Sequence, residues 1–411
     1  RKSEETPAQA PFSHRNGRLP PPVEGGLGGS RAGDEGGSSQ PERFQTGSTL
    51  PVSHCDESGT LASSTVSRSW RNANALPFVV AALLLALAAG VAAISGKASL
   101  PAGDVLAMLG HRVGLALPVI WPANREAILF EIRLPRIVLA GLAGGALAMA
   151  GSTYQGLFRN PLADPYLLGV ASGASLGAVL AFVLPLPLGT ARLGLVQLLA
   201  FGGALGAVAA VYALARTGST TAATTLVLAG VALGALANAA TTLLMALRGD
   251  QLLVIYGWLL GGFNTATWEE VRFVAPLVVV TGLVMALGGR LLNLFQFGEE
   301  QAATLGVDIE RSRLVLVAAA SLATAAAVAA GGLIGFVGLV VPHVARLLFG
   351  PDFRRLLPLS LLLGAAFLIG ADTVARSLPG AIEIPVGVVT AAIGAPFFLF
   401  LLRQEKRGLA E

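Results

Sequence analysis

An all-α polytopic membrane protein with ten transmembrane helices is the fold the sequence predicts, on three observations. Of 411 residues, 54% are hydrophobic and only 13% charged, with a mean hydropathy of +0.70, well outside the composition of soluble globular chains. Apolar runs of about 20 residues, the length that crosses a bilayer as a helix, recur from residue 76 to the C-terminus. Charge, Pro or Gly brackets the runs, as expected for helices that satisfy their own backbone in lipid.

The first 72 residues differ in kind. The stretch RLPPPVEGGLGGSRAGDEGGSSQPERFQTGS is rich in Gly, Pro, Ser and charge and has no apolar periodicity, so it buries too little surface to offset its chain entropy. Disorder is expected for 1–72, a transmembrane domain for 73–405 and a short cytoplasmic tail for 406–411. The spans follow in order. Run 76–95 closes at Gly96-Lys97, and 134–157 lies between Arg133 and Arg159. Run 166–186 lies between Pro165 and Pro187, 193–215 between Arg192 and Arg216, and 225–247 ends at Arg248. Run 271–295 follows Glu269-Glu270, 313–330 closes at Gly331-Gly332, and 334–349 closes at Gly350-Pro351. The last two, 356–375 and 386–402, lie between Arg355 and Arg376 and between Pro385 and Arg403. Gly169, Gly173 and Gly177, Gly202 and Gly206, and Gly230 and Gly234 recur four apart. Lipid supplies no hydrophobic force between helices, so close approach at small residues is expected to hold the bundle together.

Composition also excludes several function classes. A single cysteine, Cys55, rules out an internal disulfide framework and a Cys-based zinc cluster. The histidines His14, His54, His111 and His343 lack metal-ligand spacing, and no catalytic constellation is present. The net charge of +4 is concentrated near span ends, which fits membrane orientation rather than nucleic-acid binding.

With a cytoplasmic N-terminus, the inner face collects more Arg and Lys than the outer, which the positive-inside rule favours. Arg133 and Arg136 of "IRLPR" then face outward, against the bias, as does Arg376. Basic residues that only anchor to headgroups are the plainer reading of these positions. A secondary carrier needs ionisable groups at mid-membrane depth, and the spans hold almost none; Asp372 and Glu383 lie toward outer ends. A channel would show rings of charge or a carbonyl filter. The nearest approach to a nucleotide loop, GVAAISGKAS, has the wrong spacing, so an ATP-driven machine would need another subunit. The longest inner polar stretch, Gln296 to Arg313, reads as two short helices joined by a turn at Gly306, with Asp308 capping the second. Leu305 and Val307 among its charges suit a shelf that receives force from a partner.

Six motifs together carry a resemblance: RLPR, ALAMAGSTYQGLFRNPLADPYLLGVASGASLGA, LLGGF, EEQAATLGV, GFVGLVVPHVARLLFGPD and EIPVGVVTAAIGAPFFLFLL. Over roughly residues 75–405 the chain resembles the FecCD permeases of ABC importers, which carry cobalamin, haem or ferric siderophores. The resemblance implies a type II importer permease fold, a homodimer with the path on its axis, two ATPase subunits inside and a substrate-binding protein outside. It implies a bacterial inner-membrane location with both termini cytoplasmic. The permease would bind no cofactor, ATP and Mg residing on the ATPase. Arg133, Arg136 and Arg376 match positions that meet carboxylates of the binding protein. The ATPase contact is expected at Glu299, Glu300, Leu305, Gly306, Val307, Asp308 and Arg311. The cytoplasmic gate is expected at Ala223, Thr224 and Thr225, where Ala223 departs from the usual hydroxyl and helix capping by the threonines competes. His343 stands in a motif shared whatever the substrate, so packing is expected rather than haem ligation. The loop RNPLADP, Arg159 to Pro165, is assigned to architecture. A corrinoid is the first choice of cargo, because Thr49 to Glu57 back-translates to a string similar to the end of a cobalamin riboswitch, which would make the tail a mistranslated leader.

Overall fold

The computed structural model describes residues 63–408, apart from 116–117, 120, 185–190, 218–219, 222, 249–250 and 379–382. Its helices follow the apolar runs: seven are long and apolar enough to cross a membrane, and Val170–Val183, Val337–Phe349 and Val386–Leu401 are shorter apolar helices. Together these match the ten expected runs one for one. In chain order the helices are α1 (Ser63–Ile94), α2 (Ala102–Arg112), α3 (Ala123–Ala127), α4 (Leu134–Leu157), α5 (Val170–Val183), α6 (Ala191–Ala215), α7 (Ala223–Leu247) and α8 (Leu252–Leu259). They continue with α9 (Trp268–Leu287), α10 (Gly289–Phe295), α11 (Glu299–Thr304), α12 (Ile309–Gly331), α13 (Val337–Phe349), α14 (Phe353–Ser377) and α15 (Val386–Gly408). A two-stranded antiparallel hairpin, Arg216–Thr217 with Thr220–Thr221, joins α6 to α7.

Several boundaries differ from the hydropathy reading. The helix α1 begins at Ser63, within the segment expected to be disordered, while 1–62 lies outside the described residues. At the other end, α15 runs on to Gly408. Run 166–186 is broken at Gly169, where a left-handed residue (φ 76°) separates a 3-10 turn, Pro165–Leu168, from α5. Run 271–295 is broken at Gly288, where α9 gives way to α10 and the side chain of Leu316 occupies the space a Cβ would need. Upstream of α4 the helix widens to a π-turn over Ile128–Arg133; Pro135 cannot donate a backbone hydrogen bond, and the wider turn absorbs that loss.

The core is built around α4, whose residues are buried from Ala143 to Leu157 without interruption. Glycine lets its neighbours come close enough to leave no room for a methyl. A Cβ on Gly144 would collide with the carbonyl of Gly364 on α14, and one on Gly151 with the carbonyl of Gly338 on α13. The α5–α6 contact uses Gly173 and Gly177 as expected, facing Gly203 and Leu199. On α6, however, Gly202 and Gly206 have nothing within 4 Å, so the packing glycine there is Gly203. Hydroxyl pairs lock the same core: Ser152 to Ser360 at 2.8 Å and Tyr154 to Ser321 at 2.6 Å.

Candidate functional site

At one end of the bundle, five charged side chains cluster: Arg136, Arg376, Asp372 and Glu383 are linked by ion pairs, and Arg133 stands beside Arg376 at Gly96. The last carbonyls of a helix have no intrahelical donor, and here two arginines supply the donors for α1. Arg133 donates to Ala93 O at 2.6 Å and to Ala98 O, while Arg376 donates to Ala92 O at 2.5 Å and Ser95 O at 2.9 Å. Gly96 (φ 141°) sits against both guanidiniums. Arg136 forks onto Asp372, Nε and Nη2 reaching its carboxylate at 2.9–3.1 Å, and its Nη1 donates to Glu383 at 3.0 Å. Arg376 Nε lies 3.5 Å from the same Asp372. Arg133, Arg136, Arg376 and Asp372 are 4%, 8%, 5% and 2% exposed, whereas the Glu383 side chain is 26% exposed. The three arginines expected to await an outside carboxylate are therefore already engaged within the chain. Sequence reasoning missed Asp372 and Glu383 as their partners; the available signal was two acidic residues at the same ends of the last two spans.

At the opposite end of α14, the stretch after α10 forms the expected shelf, with one correction. Only α11 is a short helix; the second is the first turn of the long helix α12. Gly306 (φ 80°) makes the turn between them. Asp308 caps α12, accepting from Arg311 N–H at 3.0 Å. Ala302 is buried and anchors the shelf, while Leu305 and Phe297 stand 69% and 71% exposed. Glu300 and Arg311 are exposed and Val307 is half-buried; the side chain of Glu299 lies outside the described residues. A side-chain brace ties this region to α14. Asn293 on α10 donates to Asp352 at 2.7 Å and accepts from Phe353 N–H at 3.0 Å, and Asp352 also caps α14 through Arg354 N–H at 3.0 Å. Burial alone would raise the Asp352 carboxyl, but the Asn293 and Arg354 hydrogen bonds, with the Arg354 and Arg355 charges, hold it below the usual carboxylate range.

Between these ends lies a cavity of about 540 Å³, bordered by α5, α7, Asp164, Tyr166 and Leu333. Tyr166 pins its wall, its hydroxyl donating to Ile334 O at 2.9 Å and accepting from Ile334 N–H at 3.1 Å. The hydroxyls of Ser172 and Ser175 bond back to their own helix, to Gly169 O and Ala171 O. Beyond Asp164, Tyr166 and these serines, the lining is apolar apart from Asn238. Such a lining offers passage rather than tight capture, since few fixed polar groups aim into it. The expected gate residues begin α7, directly after the hairpin. Thr224 is exposed and Thr225 half-buried, about 8–9 Å along the helix from Gly230 of the cavity; the side chain of Ala223 lies outside the described residues. The loop from Arg159 to Pro165 is tied by its own side chains: Asn160 accepts from Leu162 N–H and Asp164 from Tyr166 N–H. His343 is half-buried, edge-on to Phe397 with ring centroids 6.0 Å apart. Among the described residues no group of three or more His, Cys, Asp or Glu could hold a metal ion.

Comparison with known proteins places this arrangement. The FecCD transport family matches residues 62–404. The cobalamin import system permease protein BtuC of Halobacterium salinarum is 48% identical over 69% of this chain and 76% of its own. The hemin transport system permease protein HmuU of Yersinia pestis is 42% identical over 68% and 84%. A solved structure described as an inward-facing conformation of a metal-chelate type ABC transporter superposes with a TM-score of 0.69 at 31% identity, covering 80% of this chain and 99% of that one. The family match takes in every span, the shelf and the cavity, so the chain belongs to the FecCD transport family and is a membrane-spanning ABC importer permease, a transport subunit and not an enzyme.

Proposed function

We propose that two copies of this chain form the pathway of a type II importer for cobalamin or a related corrinoid in a bacterial inner membrane, with both termini cytoplasmic. The observation that carries the cargo is the 48% identity to a cobalamin import permease. A second reading, haem or a ferric siderophore, is favoured by the 42% identity to a hemin permease. The homodimer is supported by α7, which carries Leu228, Val231, Leu236 and Leu243 at 61–70% exposure beside the cavity. A second copy would cover that face and close the path at Ala223, Thr224 and Thr225. Two ATPase subunits, which bind ATP and Mg, would dock on Glu299, Glu300, Leu305, Gly306, Val307, Asp308 and Arg311. The exposed Leu305 and the Asn293–Asp352 brace support this, because a push on the shelf reaches α14 directly. A substrate-binding protein would dock outside at the arginine network. There Arg133 and Arg376 shape the end of α1, and Arg136 with its partly exposed companion Glu383 is the accessible edge.

The test is uptake by proteoliposomes holding the permease, its ATPase and its binding protein. Cyanocobalamin accumulation that needs Mg-ATP, with hemin and a ferric siderophore left outside, is the expected result. Hemin uptake in place of cobalamin would move the assignment to the second reading. Accumulation by the permease alone under an ion gradient would replace the importer with an ion-coupled carrier.

A further inference from the structure

The charge cluster is unbalanced and has one partly exposed member, Glu383. Three guanidiniums cluster with two carboxylates: Arg136 contacts Asp372 and Glu383, Arg376 contacts Asp372, and Arg133 beside them donates to the carbonyls of Ala93 and Ala98. Asp372 is sealed in and held by the Arg136 fork, so it is fixed. Glu383 meets the network through one contact, Nη1 of Arg136 at 3.0 Å, and a quarter of its side chain faces outward. It precedes α15 by three residues, and the first residues of that helix are held from the cavity side. Val386 N–H donates to Gly261 O at 3.0 Å, and Gly387 packs against the carbonyls of Leu260 and Leu333 with no room for a Cβ. Leu333 borders the transport cavity. Arg136 is thus joined through Glu383, and then through the backbone of Ile384 and Pro385, to the start of α15 and the cavity wall.

We propose that Glu383 is an exchangeable partner of Arg136. A carboxylate on an acidic segment of the external binding protein takes its place on Nη1, and the release of Glu383 frees the entry to α15. This rests on the docking reading above and adds to it a displaced group and a route inward. The surplus guanidinium charge favours the exchange, because an incoming carboxylate meets a net positive cluster while the outgoing one passes to water. Glu383 is a positioning residue here: it contacts no cargo and acts through Arg136.

Two measurements on the full chain in nanodiscs test this. The first is binding of a deca-glutamate peptide at low salt, read by fluorescence anisotropy. Glu383→Gln, which keeps the shape and removes the competing charge, should tighten binding by about threefold or more over wild type, and Glu383→Asp should return it toward wild type. The second is thermal unfolding of Glu383→Ala in acetate against chloride of equal ionic strength. Acetate should raise the midpoint of this variant more than that of wild type, because in wild type Glu383 competes for Arg136 Nη1. Equal peptide affinity in wild type and Glu383→Gln, or an identical acetate response in wild type and Glu383→Ala, would overturn the exchange and leave Glu383 a fixed part of the fold. Failure of wild type to capture its binding protein, with both measurements as expected, would instead overturn the docking reading and leave a carboxylate exchange site.

Discussion

Asp372 is the residue whose loss the structure prices most directly. It is 2% exposed and takes both ends of the Arg136 fork at 2.9–3.1 Å, with Arg376 Nε a further 3.5 Å away. Asp372→Ala removes that carboxylate and leaves two buried guanidiniums behind. Breaking a buried pair by deleting one partner typically costs about 3–5 kcal/mol. Arg136 keeps Glu383 and Arg376 keeps the carbonyls of Ala92 and Ser95, so the cost should fall at the lower end, about 3 kcal/mol. Arg136→Met alone strands Asp372 beside a single, poorly aligned arginine and should cost a similar amount. The double variant removes both charges, and its cost should fall short of the sum by about 2 kcal/mol or more. Reversible unfolding in mixed micelles, followed by tryptophan fluorescence, gives all three values. A loss under about 1 kcal/mol for Asp372→Ala, or strict additivity in the cycle, would refute the claim that this network holds the ends of α1, α4 and α14 together.

Three further outcomes follow from the packing and the shelf. Gly151→Ala puts a methyl into the Gly338 carbonyl and should destabilise by about 1–3 kcal/mol, while Gly202→Ala, with open space around it, should stay within about 0.5 kcal/mol of wild type; equal losses would sink the packing account. Asp352 is held below its unfolded value, so its stabilisation is complete above about pH 4 and fades as pH falls through the folded value. The stability gap between wild type and Asp352→Ala, about 1 kcal/mol at neutral pH, should therefore shrink in acid, and a gap independent of pH would contradict this. Leu305→Asp changes an exposed shelf residue and should leave the thermal midpoint unchanged while lowering co-purification with the ATPase; normal ATPase recovery would remove Leu305 from the contact.

Much of the site was legible because local signals carried it. Gly306 with Asp308 two residues on announces a turn and a helix cap from sequence alone, and the structure has both. The glycines were legible only as a class: the sequence offers Gly202, Gly203 and Gly206 on equal terms, and the facing backbone of α5 selects Gly203. The arginines were legible as unusual, while their partners were not, because Asp372 and Glu383 lie 236 and 247 residues along the chain from Arg136.

The sequence by itself determined that this is a multi-span helical protein, since hydropathy over about 20 residues is a local property that lipid reads segment by segment. It also determined the order of the spans, the shelf and its cap. Only the tertiary structure decided where the helices break, which glycines meet another backbone, and that the arginine network is filled from within. Those outcomes depend on steric fit and on the pairing of buried charge between distant segments. A buried guanidinium takes the carboxylate that folding brings to it, and no short window of sequence contains both.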